Sequence, residues 1–127
     1  IQKLFLYYSK ALDFYETKSR SLDTYLASIY NNIGMLYKKR NHQLEIAPIY
    51  YDKSLQVKQK IFPSDYFDFA LSYNNIGMVY YKMCNYSKAI QYYERALEIC
   101  QSNNLPSDHP YLTTLRKNLA RAYENES

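Results

Sequence analysis

The residues able to do chemistry here are amides and cations rather than catalytic groups. Two of the adjacent asparagine pairs, Asn31-Asn32 and Asn74-Asn75, share one setting, and lysines or arginine follow at Lys38, Lys39, Lys82, Lys117 and Arg121. Asparagine is a mediocre helix-interior residue, because its side chain competes for backbone hydrogen bonds. Its amide offers a donor and an acceptor together, which suits an extended peptide backbone. The chain carries no glycine-rich phosphate loop, no His/Cys metal spacing and no nucleophile elbow. Cys84 and Cys100 fit no paired framework or redox motif, which points to a reducing, cytoplasmic compartment. His42 and His109 stand apart near helix ends, where capping or solvent contact is their expected role. The protein is therefore expected not to be an enzyme and to use no cofactor or metal.

The pairs of asparagines lie inside a longer repetition. Tyr73-Asn74-Asn75-Ile76-Gly77-Met78-Val79-Tyr80 repeats Tyr30-Asn31-Asn32-Ile33-Gly34-Met35-Leu36-Tyr37, and Arg116-Lys117-Asn118-Leu119-Ala120-Arg121-Ala122-Tyr123 is a worn third copy. The step from Tyr37 to Tyr80 is 43 residues, and from Tyr80 to Tyr123 it is 43 again. A fixed period of this size marks a repeat array.

The totals fit that architecture. The 127 residues suffice for one domain, with 47% apolar and 22% charged residues, the balance of a globular chain. Two Gly and four Pro leave little material for hairpins. The net charge of +4 is mild and forms no basic tail for nucleic acid. No apolar run approaches a membrane span. The chain begins at Ile1 with no signal peptide, so it reads as a piece of a longer protein.

Apolar residues at three- and four-residue steps predict six helices, over about 2–18, 23–39, 44–61, 65–83, 86–101 and 110–125. Phe62-Pro63-Ser64-Asp65 and Leu105-Pro106-Ser107-Asp108 punctuate two of the breaks at the same 43-residue step. In each, proline stops one helix and Ser or Asp can cap the next. Asn41 and Asn85 mark the tighter turns within a pair, and Pro48 fits only the first turn of the third helix.

The motif Tyr73-x2-Ile76-Gly77-x2-Tyr80, followed by Ala89-x3-Tyr93 and Ala96-Leu97, resembles a tetratricopeptide repeat. The earlier copy matches with Tyr30, Ile33, Gly34, Tyr37, Ala47, Tyr51 and Ser54, given one extra residue in its turn. Tyr8, Ala11 and Leu12 are similar to the second helix of a unit, and Leu119, Ala120 and Tyr123 to the first. The closest resemblance is to the long-period repeats of kinesin light chain. It implies an all-α solenoid, a right-handed superhelix of antiparallel helix pairs A and B. The units are helix B of a truncated repeat at 1–18, repeats at 22–61 and 64–101, and helix A of a truncated repeat at 108–127.

The resemblance also implies that the A helices line a concave groove suited to a peptide. The positions it assigns there include Asn31, Met35, Lys38, Asn74, Met78, Tyr81, Lys82, Lys117 and Arg121, beside Ser28, Lys39, Leu71, Thr114, Glu124 and Asn125. Five cations and one anion on this face match the whole net charge of +4, so the expected partner is a protein segment with acidic residues. Met35 and Met78 would form an adaptable apolar floor. Asn32, Asn75 and Asn118 lie about 100° further round and are assigned to the interface between repeats. Tyr30, Tyr37, Tyr51, Tyr73, Tyr80, Tyr93 and Tyr123 recur with the packing pattern and are expected in the core.

The leading functional reading is a protein–protein interaction scaffold. A second is a non-catalytic arm of a larger enzyme or signalling protein, used for placement or self-association. A third, an RNA-binding helical repeat, lacks a repeated base-reading code along the groove. Helix 2–18 carries Leu4, Phe5, Leu6, Leu12 and Phe14 on several faces, so flanking repeats or self-association through truncated ends are expected.

Overall fold

Side chains that repeat every 43 residues build helices that repeat as well. The computed structural model describes residues 2–126, with every side chain among them except that of Asn41. Ile1 and Ser127, the ends of the outermost expected units, lie outside the described residues. The described chain is a solenoid of α1 (Gln2–Lys39), a 3-10 segment (Asn41–Ile46), α2 (Ala47–Gln59), α3 (Phe67–Lys82), α4 (Tyr86–Ser102) and α5 (Pro110–Glu126). The main packed pairs are α1 with α2, α3 with α4, and α4 with α5.

This is five α-helices rather than the six expected. The first and second expected helices are one, the 38-residue α1. The cause is local. Where the later breaks carry Phe62-Pro63-Ser64-Asp65 and Leu105-Pro106-Ser107-Asp108, the first has Ser19-Arg20-Ser21-Leu22. Serine and arginine are tolerable inside a helix, whereas proline removes a donor and clashes with the preceding turn. Without proline the helix continues.

The later ends are built only partly as expected: Tyr66, not Ser64 or Asp65, stands at the N-cap of α3, and its side chain makes no capping hydrogen bond. Pro48 lies in the first turn of α2. Asn85 caps α4, its side-chain oxygen accepting from the Lys88 N–H at 3.3 Å. His109 takes a capping role at α5, its Nδ1 accepting from the Tyr111 N–H at 3.1 Å. Both α3 and α4 end in Schellman turns: the Asn85 N–H donates to Tyr80 O at 2.9 Å, and the Leu105 N–H to Cys100 O at 3.3 Å. The turn residues Cys84 and Asn104 sit at φ 61° and 55°. Asparagine tolerates this region and a Cβ-bearing cysteine does so poorly. Cys84→Gly is expected to raise stability by about 1 kcal/mol, seen as a higher denaturant midpoint at unchanged slope. An unchanged midpoint would mean that the turn stores no strain.

Small residues set how closely helices pack. Ala27, Ala47, Ala70, Ala89, Ala96 and Ala122 are all fully buried. Ser54 stands where the next repeat has Ala96, and its hydroxyl donates to Ala27 O at 2.7 Å. A Cβ on Gly34 would lie 2.9 Å from the Tyr51 ring, and one on Gly77 2.7 Å from the Tyr93 ring. Each glycine is thus a seat for a flat ring from the neighbouring helix.

Other tyrosines form a second repeated lattice. Tyr50 stacks on Tyr37 at 5.8 Å and Tyr92 on Tyr80 at 5.6 Å, with Tyr30 and Tyr73 tilted against the same rings. Tyr51, Tyr73 and Tyr93 are core as expected, while Tyr30, Tyr37 and Tyr80 are half-buried. Tyr123 departs from the expectation: it is exposed, its hydroxyl bonded to Glu94. Tyr80 is covered by Tyr92 from α4, and no helix follows α5 among the described residues to cover Tyr123 in the same way.

Candidate functional site

Three helices of type A supply one wall: the second half of α1, then α3, then α5. Between the first two lies a cavity of about 170 Å³, lined by Met35, Lys38, Lys39, Tyr51, Asn75 and Lys82. Between the second and third lies one of about 120 Å³, lined by Met78, Tyr81, Lys82, Tyr93, Asn118 and Arg121. The two are copies. Met35, Lys38, Lys39 and Asn75 stand 43 residues before Met78, Tyr81, Lys82 and Asn118, and Tyr51 stands 42 before Tyr93. Lys82 belongs to both.

The construction follows from the packing. Each glycine-seated ring, Tyr51 or Tyr93, contributes from helix B, the Met and Lys positions come from one helix A, and the asparagine comes from the next. The ring positions are unequal in polarity. The Tyr51 hydroxyl is buried without a hydrogen-bond partner. Burial pushes the Tyr93 hydroxyl up to about 12, with Tyr81 adding to the shift and Arg121 opposing it. Lys38 is held below the usual lysine range, first by burial and then by the positive charge of Lys82. Two cations thus face one another across the first cavity.

The asparagines divide differently from the sequence assignment. Asn74 is 8% exposed. Its amide donates to Met78 Sδ at 3.7 Å, and its oxygen accepts from Asn118 Nδ2 at 3.1 Å. Asn31 is half-buried and donates to Met35 Sδ at 3.6 Å. Asn75 and Asn118, assigned to the repeat interface, line the cavities. Asn118 therefore does both jobs, bridging α5 to α3 while facing the second cavity. The signal for this was in the sequence: Asn75 and Asn118 are the asparagines that survive into the third copy at a 43-residue step, whereas Asn74 gives way to Lys117.

The structure brings Met35, Lys38, Met78, Tyr81, Lys82 and Arg121 into these cavities. Lys117 is exposed on α5 and lines neither. Asn125 Nδ2 donates to the Tyr81 hydroxyl at 3.0 Å, fixing that ring against α5. Among the described residues no group of three or more His, Cys, Asp or Glu could hold a metal ion. Cys84 and Cys100 are free thiols. Among the described residues no helix is long and apolar enough to cross a membrane.

The tetratricopeptide repeat family matches residues 25–102 and, overlapping, 68–126. Among solved structures the chain is similar to BtubC (BKLC) from P. vanneervenii, with 30% identity and a TM-score of 0.71 over 93% of this chain and 49% of that one. It is also similar to the nearly identical TPR-like repeats of a Podosopora anserina putative kinesin light chain, with 21% identity and a TM-score of 0.67 over 79% of this chain and 46% of that one. The chain spans about half the length of these solved chains. No curated protein sequence matches it. Arrays of such repeats are non-catalytic scaffolds for protein–protein interaction. By its motifs, its helix-pair packing and this match over most of its length, the chain belongs to the tetratricopeptide repeat family.

Proposed function

We propose that the inner wall of α1, α3 and α5 docks an extended, acidic segment of a partner protein in the cytoplasm. The observation that carries this reading is the duplicated cavity with Lys82 shared between its copies. An extended peptide is itself a repeating object, so a site that recurs along the wall suits it. Lys38, Lys82 and Arg121 supply charge, with Lys117 at the rim. Met35 and Met78 supply adaptable apolar contact, and Tyr81 supplies a ring anchored by Asn125. Asn31 and Asn74 support the wall from within, and Asn75 and Asn118 present their amides to the ligand. We read 22–61 and 64–101 as whole repeats, flanked by half-repeats at 1–18 and 108–127.

The test is a titration of labelled acidic and charge-neutral peptides of equal length. The acidic peptides are expected to bind at least tenfold more tightly at low salt and to lose that advantage as salt rises past physiological strength. Equal affinity for both sets, or tighter binding of a homopolymer RNA, would overturn the reading.

A second reading is an arm that places or self-associates a larger protein. It is favoured by the first half of α1, whose Phe5, Phe14 and Tyr15 are 74%, 64% and 72% exposed. Contiguous exposed apolar side chains mark interaction surfaces.

A further inference from the structure

The first half of α1 and the outer face of its second half are two sides of one joint that the chain has not closed on itself. The positions show this. α5 packs mainly on α4, and it does so with Leu112, Leu115, Leu119 and Ala122, all buried. One repeat earlier α3 buries Phe69, Ser72, Ile76 and Val79 at the same positions. A further repeat back, these positions on α1 are Leu26, Ile29, Ile33 and Leu36. There Leu26 and Ile29 are each 37% exposed and Leu36 is 61% exposed.

The missing cover is a helix of type B, and the chain carries one. In α4 the buried positions are Ala89, Ile90, Tyr93, Ala96, Ile99 and Cys100. At 85 residues earlier stand Leu4, Phe5, Tyr8, Ala11, Phe14 and Tyr15. All but Ala11 are exposed. The two faces cannot meet within one chain, because α1 runs unbroken through Ser19-Arg20-Ser21-Leu22. At about 1.5 Å per residue its 38 residues form a rod roughly 57 Å long, with the two faces at opposite ends.

We propose that two copies of this chain pair through antiparallel α1 helices, each first half covering the open Leu26–Leu36 face of the other. The inference rests on the self-association reading above and specifies its surface, register and symmetry. The register follows from the joint between α4 and α5, where Tyr111 near the start of α5 packs against the buried cluster that holds Cys100 near the end of α4. The equivalent neighbours are Tyr15 of one copy and Tyr25 of the other, so the two-fold axis passes near Arg20. Such a pairing is isologous and closes as a dimer. Four aromatic rings from each copy, Phe5, Tyr8, Phe14 and Tyr15, at about 150–250 Å² apiece, reach the roughly 1,200–2,000 Å² that specific interfaces bury.

Light scattering on the 127-residue chain is expected to give twice the 15.2 kDa of one copy. Arg20→Pro introduces the residue that breaks the other two joints, and it is expected to yield a folded monomer that loses only the helix of one such joint, its own first half folded back. In a Cys84→Ser background, Tyr15→Cys with Tyr25→Cys is expected to form disulfide-linked dimers, while Tyr15→Cys alone does not. A wild-type monomer at about 100 μM would overturn both the pairing and the self-association reading. A dimer that survives Arg20→Pro in a folded protein, or that crosslinks equally through Tyr15→Cys alone, would leave self-association standing and overturn this pairing. If Arg20→Pro fails to fold, the crosslinking pattern decides.

Discussion

Tyr93→Ala is expected to lower the free energy of unfolding by about 3–5 kcal/mol, the range for deleting a buried aromatic ring. Tyr93 is 2% exposed, and its ring is in contact with the Gly77 backbone across the α3–α4 crossing. Removal leaves a void that neighbours cannot fill. Gly77 has no side chain to extend, and Ala89 and Ala96 beside it are small. The ring also floors the cavity between α3 and α5, so the loss reaches two helix joints at once. Against a typical domain stability of about 5–15 kcal/mol, this is about a fifth or more of the total. Urea unfolding monitored by circular dichroism reads it directly. A loss under about 1 kcal/mol would mean that the α3–α4 crossing does not depend on the seated ring.

What could be read from the residues, and what could not, follows from the same repetition. Gly34 with Tyr51 and Gly77 with Tyr93 recur at nearly the same step, and a ring-on-glycine contact has one structural meaning. The helix-pair fold was legible for that reason. The continuity of α1 was missed because polar residues at 19–21 look like a break, yet none of them forbids a helix. The decisive feature was an absence, the proline present at Pro63 and Pro106. The surroundings of the asparagines were hidden for a different reason. Asn74 and Asn75 differ by about 100° around one helix, and which neighbour each meets is a tertiary matter: Asn74 accepts a hydrogen bond from Asn118 of α5, while Asn75 lines the cavity toward α1. Exposure of Tyr123 likewise reflects which helix lies beside it, not its own pattern.

The last expected result concerns the wall itself. Lys82→Glu is expected to weaken an acidic peptide by about 10- to 100-fold, or roughly 1.5–3 kcal/mol, the scale of a hydrogen bond to a charged group. Lys82 lines both cavities, so one substitution reverses a charge at two consecutive subsites. It also removes the positive neighbour that helps depress Lys38 and puts a negative one in its place. Lys38 then pairs with the new glutamate instead of the ligand, which deepens the loss. Lys117→Glu makes the same change in net charge but lies outside both cavities, so about a threefold loss is expected from it, mostly in association rate and erased by salt. The comparison separates a built site from a general field. If the two variants weaken binding equally, the positive charge acts only at long range and the duplicated cavities hold no ligand. Stability measured in parallel guards the conclusion, since Lys82 is exposed and its reversal is expected to shift unfolding by no more than about 0.5 kcal/mol.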